Sequence, residues 1–271
     1  MPFAQVHDTS LYYEVTGSGS PILFIHELAG DFRSWEPQVR ALARSHTCIT
    51  YSARGYLPSG VPEALGSYSQ QQSARDAIAL LDHLGIEKAH IVGLSMGGFV
   101  TVQIALDFPA RVRSATIASC GSGSEPQLYH SKQAAFRAMS DQVAAQGTGA
   151  FVRACDVDLT RDSYKRKDPR GFAEFLSQLA EHDSRGLANT LRGVQGSRPS
   201  LWDFEAQLRT TSLPALILCG DQDAPCLQPS LYLAGNWPGA RLAVFPGSGH
   251  VLNLEEPALF NQILKDFIYT L

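Results

Sequence analysis

The chain has no run of eighteen uninterrupted apolar residues, and near Met1 it has no basic segment leading into an apolar one. Neither a membrane span nor a signal peptide is therefore expected. Positive charge is scarce and scattered. The 22 Lys and Arg residues are outnumbered by 26 Asp and Glu, the net charge is −4, and the densest cationic run is Lys165-Arg166-Lys167. That argues against the basic surface on which nucleic-acid binding rests. The five cysteines (Cys48, Cys120, Cys155, Cys219 and Cys226) are odd in number, and Cys48 and Cys219 lie inside apolar, strand-like runs. They read as buried reduced thiols of a cytoplasmic protein and not as a disulfide framework. No His, Cys or Asp residues recur at metal-ligand spacings such as H-x-x-x-H or paired C-x-x-C, so no metal and no cofactor is expected. What the 271 residues do have is 44% hydrophobic content, enough for a large core in one α/β domain.

Strand-like and helix-like segments alternate along the chain. Short apolar runs at Phe3 to His7 and Leu11 to Val15 are followed by the turn Gly17-Ser18-Gly19 and the buried-strand pattern Pro21 to Ile25. Strands are predicted at Cys48–Tyr51, His90–Leu94 and Val112–Ala118, with helices at Ser69–Leu84 and Gly97–Phe108 between them. Alternation of this kind favours a parallel sheet covered on both faces. Ala74, Ala77, Ile78 and Leu81 form one apolar helical face and belong to the core. Residues 124–204 break the alternation. Their pattern is helical, with Phe136, Met139 and Val143 on one face and Phe172, Phe175, Leu176 and Leu179 on another, and no strand follows until Ala215–Cys219. Placed between consecutive strands, this segment reads as a cap over a pocket, with 1–123 and 205–271 forming the core. A last strand at Leu242–Phe245 and a helix from Pro257, with Phe260, Ile263, Leu264 and Phe267 on one face, complete the chain.

Gly93-Leu-Ser95-Met-Gly97 lies between a strand and an amphipathic helix, the setting that G-x-S-x-G requires. A serine on such a sharp turn has its hydroxyl exposed, and the following Met96 amide stands at a helix N-terminus, where it can stabilise an oxyanion. A serine hydroxyl attacks only when a base takes its proton, so a histidine and an acid that orients it must follow. Of the eight histidines, only His250 lies in a glycine-containing loop just after a late strand, Pro246-Gly-Ser-Gly-His250. The acid should follow the strand before that one, where Gly220-Asp221-Gln222-Asp223 offers two candidates. Asp223 is the expected one, because it lies further beyond the strand end; Asp221 is better placed to brace the loop. His26, at the end of an early strand, reads as a loop-shaping hydrogen-bonder.

The stretches His26 to Gln38, Arg54-Gly55, Gly93 to Gly98, Gly220 to Asp223 and Gly249 to Pro257 resemble the α/β-hydrolase superfamily, and within it the bacterial esterase and 3-oxoadipate enol-lactonase-like group. The likeness covers nearly the whole chain. It implies a mostly parallel eight-stranded sheet with helices on both faces and a helical cap inserted after the sixth strand. It also implies the chain order Ser95, Asp223, His250, and oxyanion donors at the Leu28 and Met96 amides. Two positions depart from the group: His26-Glu27 stands where His-Gly is usual, and Ser52-Ala-Arg54-Gly55 where Asp-x-Arg-Gly is usual. Glu27 is accordingly a candidate partner for Arg54, a solvent-facing residue, or a participant in catalysis. Trp35, Tyr129 and Trp202 are candidate pocket residues.

The function these features imply is hydrolysis of a small carboxylic ester, lactone or thioester through an acyl-enzyme on Ser95. Alternatives on the same fold are a cofactor-free lyase, perhydrolase, dioxygenase or C–C hydrolase, and a non-catalytic ligand-binding receptor.

Overall fold

The computed structural model describes residues 2–271. Eight strands, β1 (Phe3–Val6), β2 (Thr9–Thr16), β3 (Ser20–Ile25), β4 (His46–Tyr51), β5 (Ala89–Leu94), β6 (Val112–Ala118), β7 (Ala215–Gly220) and β8 (Arg241–Phe245), form one sheet in the order β1-β2-β4-β3-β5-β6-β7-β8. β1 and β2 pair antiparallel, and β4, β3 and β5 to β8 run parallel. The alternation implies a parallel sheet covered on both faces, and the likeness implies this α/β-hydrolase arrangement of it.

Side-chain alternation along the strands decides which helices lie on which face. Leu23, Ile25, Ile49 and Ile91 meet Ala74, Ala77 and Leu81 of α2 (Gln70–His83) and Val100 and Ile104 of α3 (Met96–Asp107). The other set, Ile22, Phe24, Cys48 and Val92, meets Leu42 of α1 (Glu36–Leu42) and Phe260, Leu264 and Phe267 of α12 (Pro257–Tyr269). Further along the sheet, Ala115, Ile117 and Ile217 pack with Phe99 and Val102 of α3 and with Leu233 and Trp237, which lie in and just beyond α10 (Ala224–Asn236). β5 is buried along its whole length, as a central strand covered on both faces must be.

Between β6 and β7 the chain forms α4 (Tyr129–Gln146), α5 (Gly149–Asp156), α6 (Asp162–Lys167), α7 (Pro169–Ala180), α8 (Ser184–Asn189), a π-helical turn (Thr190–Gln195) and α9 (Glu205–Leu208). Phe172, Phe175 and Leu179 of α7 are buried with Tyr164, and Val143 is buried on α4. The short α11 (Leu252–Glu255) links the loop after β8 to α12. All five cysteines are buried and unbridged. Among the described residues no helix is long and apolar enough to cross a membrane.

Candidate active site

β5 ends at Leu94 and α3 begins at Met96, so Ser95 alone makes the turn between them. Its φ of 55° is in the left-handed region, where a non-glycine residue is strained by about 1–3 kcal/mol. The turn persists because its neighbours leave no alternative. Ser95 N donates to the Ala118 carbonyl at 2.8 Å, a Cβ on Gly93 would strike the Gly97 carbonyl, and one on Gly97 would strike the Ile25 carbonyl.

The loop after β8 brings His250 to this turn. Its Nε2 is 2.9 Å from Ser95 Oγ, and its Nδ1 is 2.8 Å from Asp223 Oδ2. Burial pushes the Asp223 carboxyl up, but the facing imidazole outweighs it and holds the group below its ordinary value. For His250 burial disfavours the charged ring; the Asp223 carboxylate outweighs that and raises its pKa above the ordinary 6.5. An ionised Asp223 can only accept, so Nδ1 carries the proton and Nε2 is left to accept from the Ser95 hydroxyl. Asp221 points elsewhere and accepts from Ser248 N at 3.1 Å. Cys226, on the first turn of α10, brings its Sγ to within 3.9 Å of His250 Nδ1 and donates to the Ser119 carbonyl at 3.2 Å. Donor atoms of Asp223, Cys226 and His250 lie within 4.8 Å of one another. Burial nevertheless raises the Cys226 thiol well above its ordinary pKa and keeps it protonated, while Asp223 occupies His250 Nδ1, so the group reads as a hydrogen-bonded relay.

His26 fixes the loop opposite. Ala53 N donates to its Nε2 at 2.9 Å, so the ring proton is on Nδ1, which donates to the Glu27 carbonyl at 2.7 Å. Burial lowers its pKa to about 4, keeping it neutral. Tyr56 Oη donates to the Leu28 carbonyl at 2.8 Å. Held on both sides, the loop presents the Leu28 amide. Among the described residues neither this amide nor that of Met96 meets a protein acceptor.

The expected pairing of Glu27 with Arg54 is corrected by the structure. Arg54 directs Nη2 to Asp76 Oδ1 at 2.8 Å, its Nε to the same carboxylate, and Nη1 to Asp8 at 3.0 Å. Arg54 thus takes its main countercharge from a buried acid on α2. Glu27 turns the other way: its Oε2 accepts from Arg161 Nη2 at 2.9 Å, and its Oε1 is buried without a partner. Arg161 is buried too, and it also pairs with Asp158. Burial works against its charge, yet Glu27 and Asp158 raise its pKa. The backbone of the same segment reaches the histidine loop, where His250 N donates to the Thr160 carbonyl at 2.8 Å.

These groups surround a cavity of about 410 Å³, lined by Glu27, Leu28, Ser95, Asp223 and His250 on the sheet side and by Phe136, Met139, Phe151, Arg161 and Arg198 from the β6–β7 segment. Three expected pocket residues lie outside it. Trp35 is fully buried between Phe24 and Phe260, with ring centres 5.0 and 6.0 Å away, where it fills the core. Trp202 stacks on Tyr232, and Tyr129 Oη donates to the Arg198 carbonyl. Arg161, Arg198 and Cys226 were not singled out in the sequence. The only local signal was the i,i+3 spacing of Asp158 and Arg161, which does not say what the arginine reaches.

Residues 22–263 match the alpha/beta hydrolase family. The chain belongs to that family. Among curated alpha/beta hydrolase relatives, it is 32% identical to a candidate carbamate hydrolase, RutD, of Azorhizobium caulinodans, over 98% of each chain. It is 28% identical to 3-oxoadipate enol-lactonase 1 of Acinetobacter baylyi, covering 91% of this chain and 88% of that one. A crystal structure of the enol-lactonase of Burkholderia xenovorans superposes with a TM-score of 0.85 at 24% identity, over 99% of this chain and all of the other, which establishes the shared fold. Family membership and these relatives support hydrolase activity on a small molecule.

Proposed function

We propose that the protein is a serine hydrolase that cleaves a carboxylic ester, lactone or thioester through an acyl-enzyme. The reading rests on the hydrogen-bonded series Ser95 Oγ, His250, Asp223, with steps of 2.9 and 2.8 Å, on one wall of a cavity that Leu28 also lines. His250 Nε2 takes the hydroxyl proton as Ser95 attacks the carbonyl carbon, and Asp223 stabilises the imidazolium that forms. The Leu28 and Met96 amides, free of protein acceptors, donate to the oxyanion, and the N-terminus of α3 adds its dipole. His250 then returns the proton to the leaving oxygen or sulfur and next activates water against the acyl-enzyme. Residues 124–204 act as a cap. Support for that role comes from the shared cavity lining and from the contact of Thr160 with the histidine loop. The names of the relatives fit the lactones and extend the candidate substrates to carbamates, all of which undergo attack at a carbonyl carbon.

Fluorophosphonate labelling followed by peptide mass spectrometry tests the nucleophile, with the adduct expected on Ser95. Ser95→Ala should abolish labelling and lower ester turnover by about 10³-fold or more with the fold intact. Near-wild-type turnover in Ser95→Ala would end the acyl-enzyme reading.

A further inference from the structure

Three arginines are buried among the described residues, Arg54, Arg161 and Arg198. Arg54 meets Asp76 and Asp8, and Arg161 meets Glu27 and Asp158. Arg198 meets no carboxylate. Its one side-chain hydrogen bond runs from Nη2 to the Ser122 carbonyl at 2.8 Å. The guanidinium lies over the faces of Phe99 and Phe136, 4.7 and 5.8 Å from the ring centres. Phe99 is one helical turn after Ser95 on α3, and the cation stacked on it opens onto the cavity that Ser95 lines. Both Arg198 and Lys132 line the same cavity as Ser95, and among the described residues Lys132 also forms no ion pair.

An isolated buried charge is expensive, and proteins ordinarily pair it. Two aromatic faces and one carbonyl compensate this guanidinium only in part. Burial accordingly lowers its pKa, the opposite of the direction at Arg161. A guanidinium has five N–H donors in a planar fork that matches a carboxylate, and four of these remain unused here. Of the two buried arginines that line the cavity, Arg161 takes its countercharge from the protein and Arg198 does not.

We propose that Arg198, assisted by Lys132, binds an anionic group of the substrate, so that the preferred substrate is an ester, lactone or thioester bearing a carboxylate. This rests on the serine-hydrolase reading above and adds to it a substrate class and a specificity-determining residue. Substrate binding completes the ion pair at a buried guanidinium, where it is stronger than at the surface. Neutral analogues of the same size leave the guanidinium unpaired and bind less well.

The test compares three esters: phenyl hydrogen glutarate, with the carboxylate on the acyl side; 4-acetoxybenzoate, with it on the leaving-group side; and neutral phenyl butyrate. For the wild type, kcat/KM with one of the two anionic esters should exceed that with phenyl butyrate by about tenfold or more, mainly through KM, as expected for a charge-assisted contact. The anionic ester that wins identifies the side on which the carboxylate sits. Arg198→Met should collapse the anionic-to-neutral ratio, Arg198→Lys should keep part of it, and Lys132→Met should lower it less than Arg198→Met does. A wild type that prefers phenyl butyrate, or an unchanged ratio in Arg198→Met, would overturn the proposal. Calorimetric binding of glutarate, with butyramide as neutral control, separates this from the hydrolase reading. Were Ser95 unlabelled and no ester cleaved, glutarate binding that Arg198→Met removes would still support the anion site, and equal binding in both proteins would refute it.

Discussion

The two cavity arginines are built alike and provided for differently. Arg161 is held by Glu27 and Asp158, and the same segment braces the backbone of His250 through Thr160. Arg198 rests on two aromatic rings and a single carbonyl. A cation whose charge is met within the chain is part of the scaffold, whereas one whose charge is left over is available to a ligand. The first should therefore matter most to stability and site geometry, and the second to substrate choice.

The largest expected effect is on Arg161. Arg161→Met strands the buried Glu27 carboxylate and should cost about 3–5 kcal/mol in denaturant unfolding, while Glu27→Met in the same chain recovers most of it. A wild-type unfolding midpoint in the single variant would show that the pair is not structural. Next comes Glu27 itself. Glu27→Ala loosens the loop carrying the Leu28 amide and should lower kcat by about 10- to 100-fold, whereas Glu27→Gln, whose amide oxygen can still accept from Arg161, loses less. Equal damage from the two would mean that the carboxylate takes part in the chemistry.

The pH profile distinguishes the two arginine sites without any change in substrate. Catalysis needs neutral His250, whose pKa is raised, so kcat/KM should fall on the acid side around a midpoint above 6.5. Glu27 contributes to that rise and Arg161 opposes it. Glu27→Gln, by removing a negative charge, should move the acid limb to lower pH. Arg198→Met should leave it in place, and an equal displacement in both variants would erase the distinction. The smallest effect is on the stability of Arg198→Met, expected within about 1 kcal/mol of wild type because an uncompensated charge and its cation–π contacts are lost together. A loss as large as that of Arg161→Met would make Arg198 a scaffold residue as well.

Local chemistry made much of the site legible. The glycines flanking Ser95 and the strand and helix around them define a turn from adjacent residues alone, and a nucleophilic serine requires a base and an acid whatever their distance. His250 was therefore recognisable although it lies 155 positions from Ser95. The position of Trp35 was not legible, since an aromatic side chain beside a loop can face a pocket or a core, and here it packs between Phe24 and Phe260.

Charge pairing was the least legible of all. An arginine is satisfied by any carboxylate within reach, so the motif around Arg54 could not distinguish Glu27 from Asp76 or Asp8. By itself the sequence determined the alternation of strands and helices, the strained turn at Ser95 and the candidates His250 and Asp223 that the structure brings to it, because these follow from neighbours and from chemical necessity. Only the tertiary structure decided that Glu27 faces Arg161 across 134 positions and that Arg198 is buried without an anion on the cavity that Ser95 lines. Direction and burial belong to the packed chain, and they determine which charges are compensated within it.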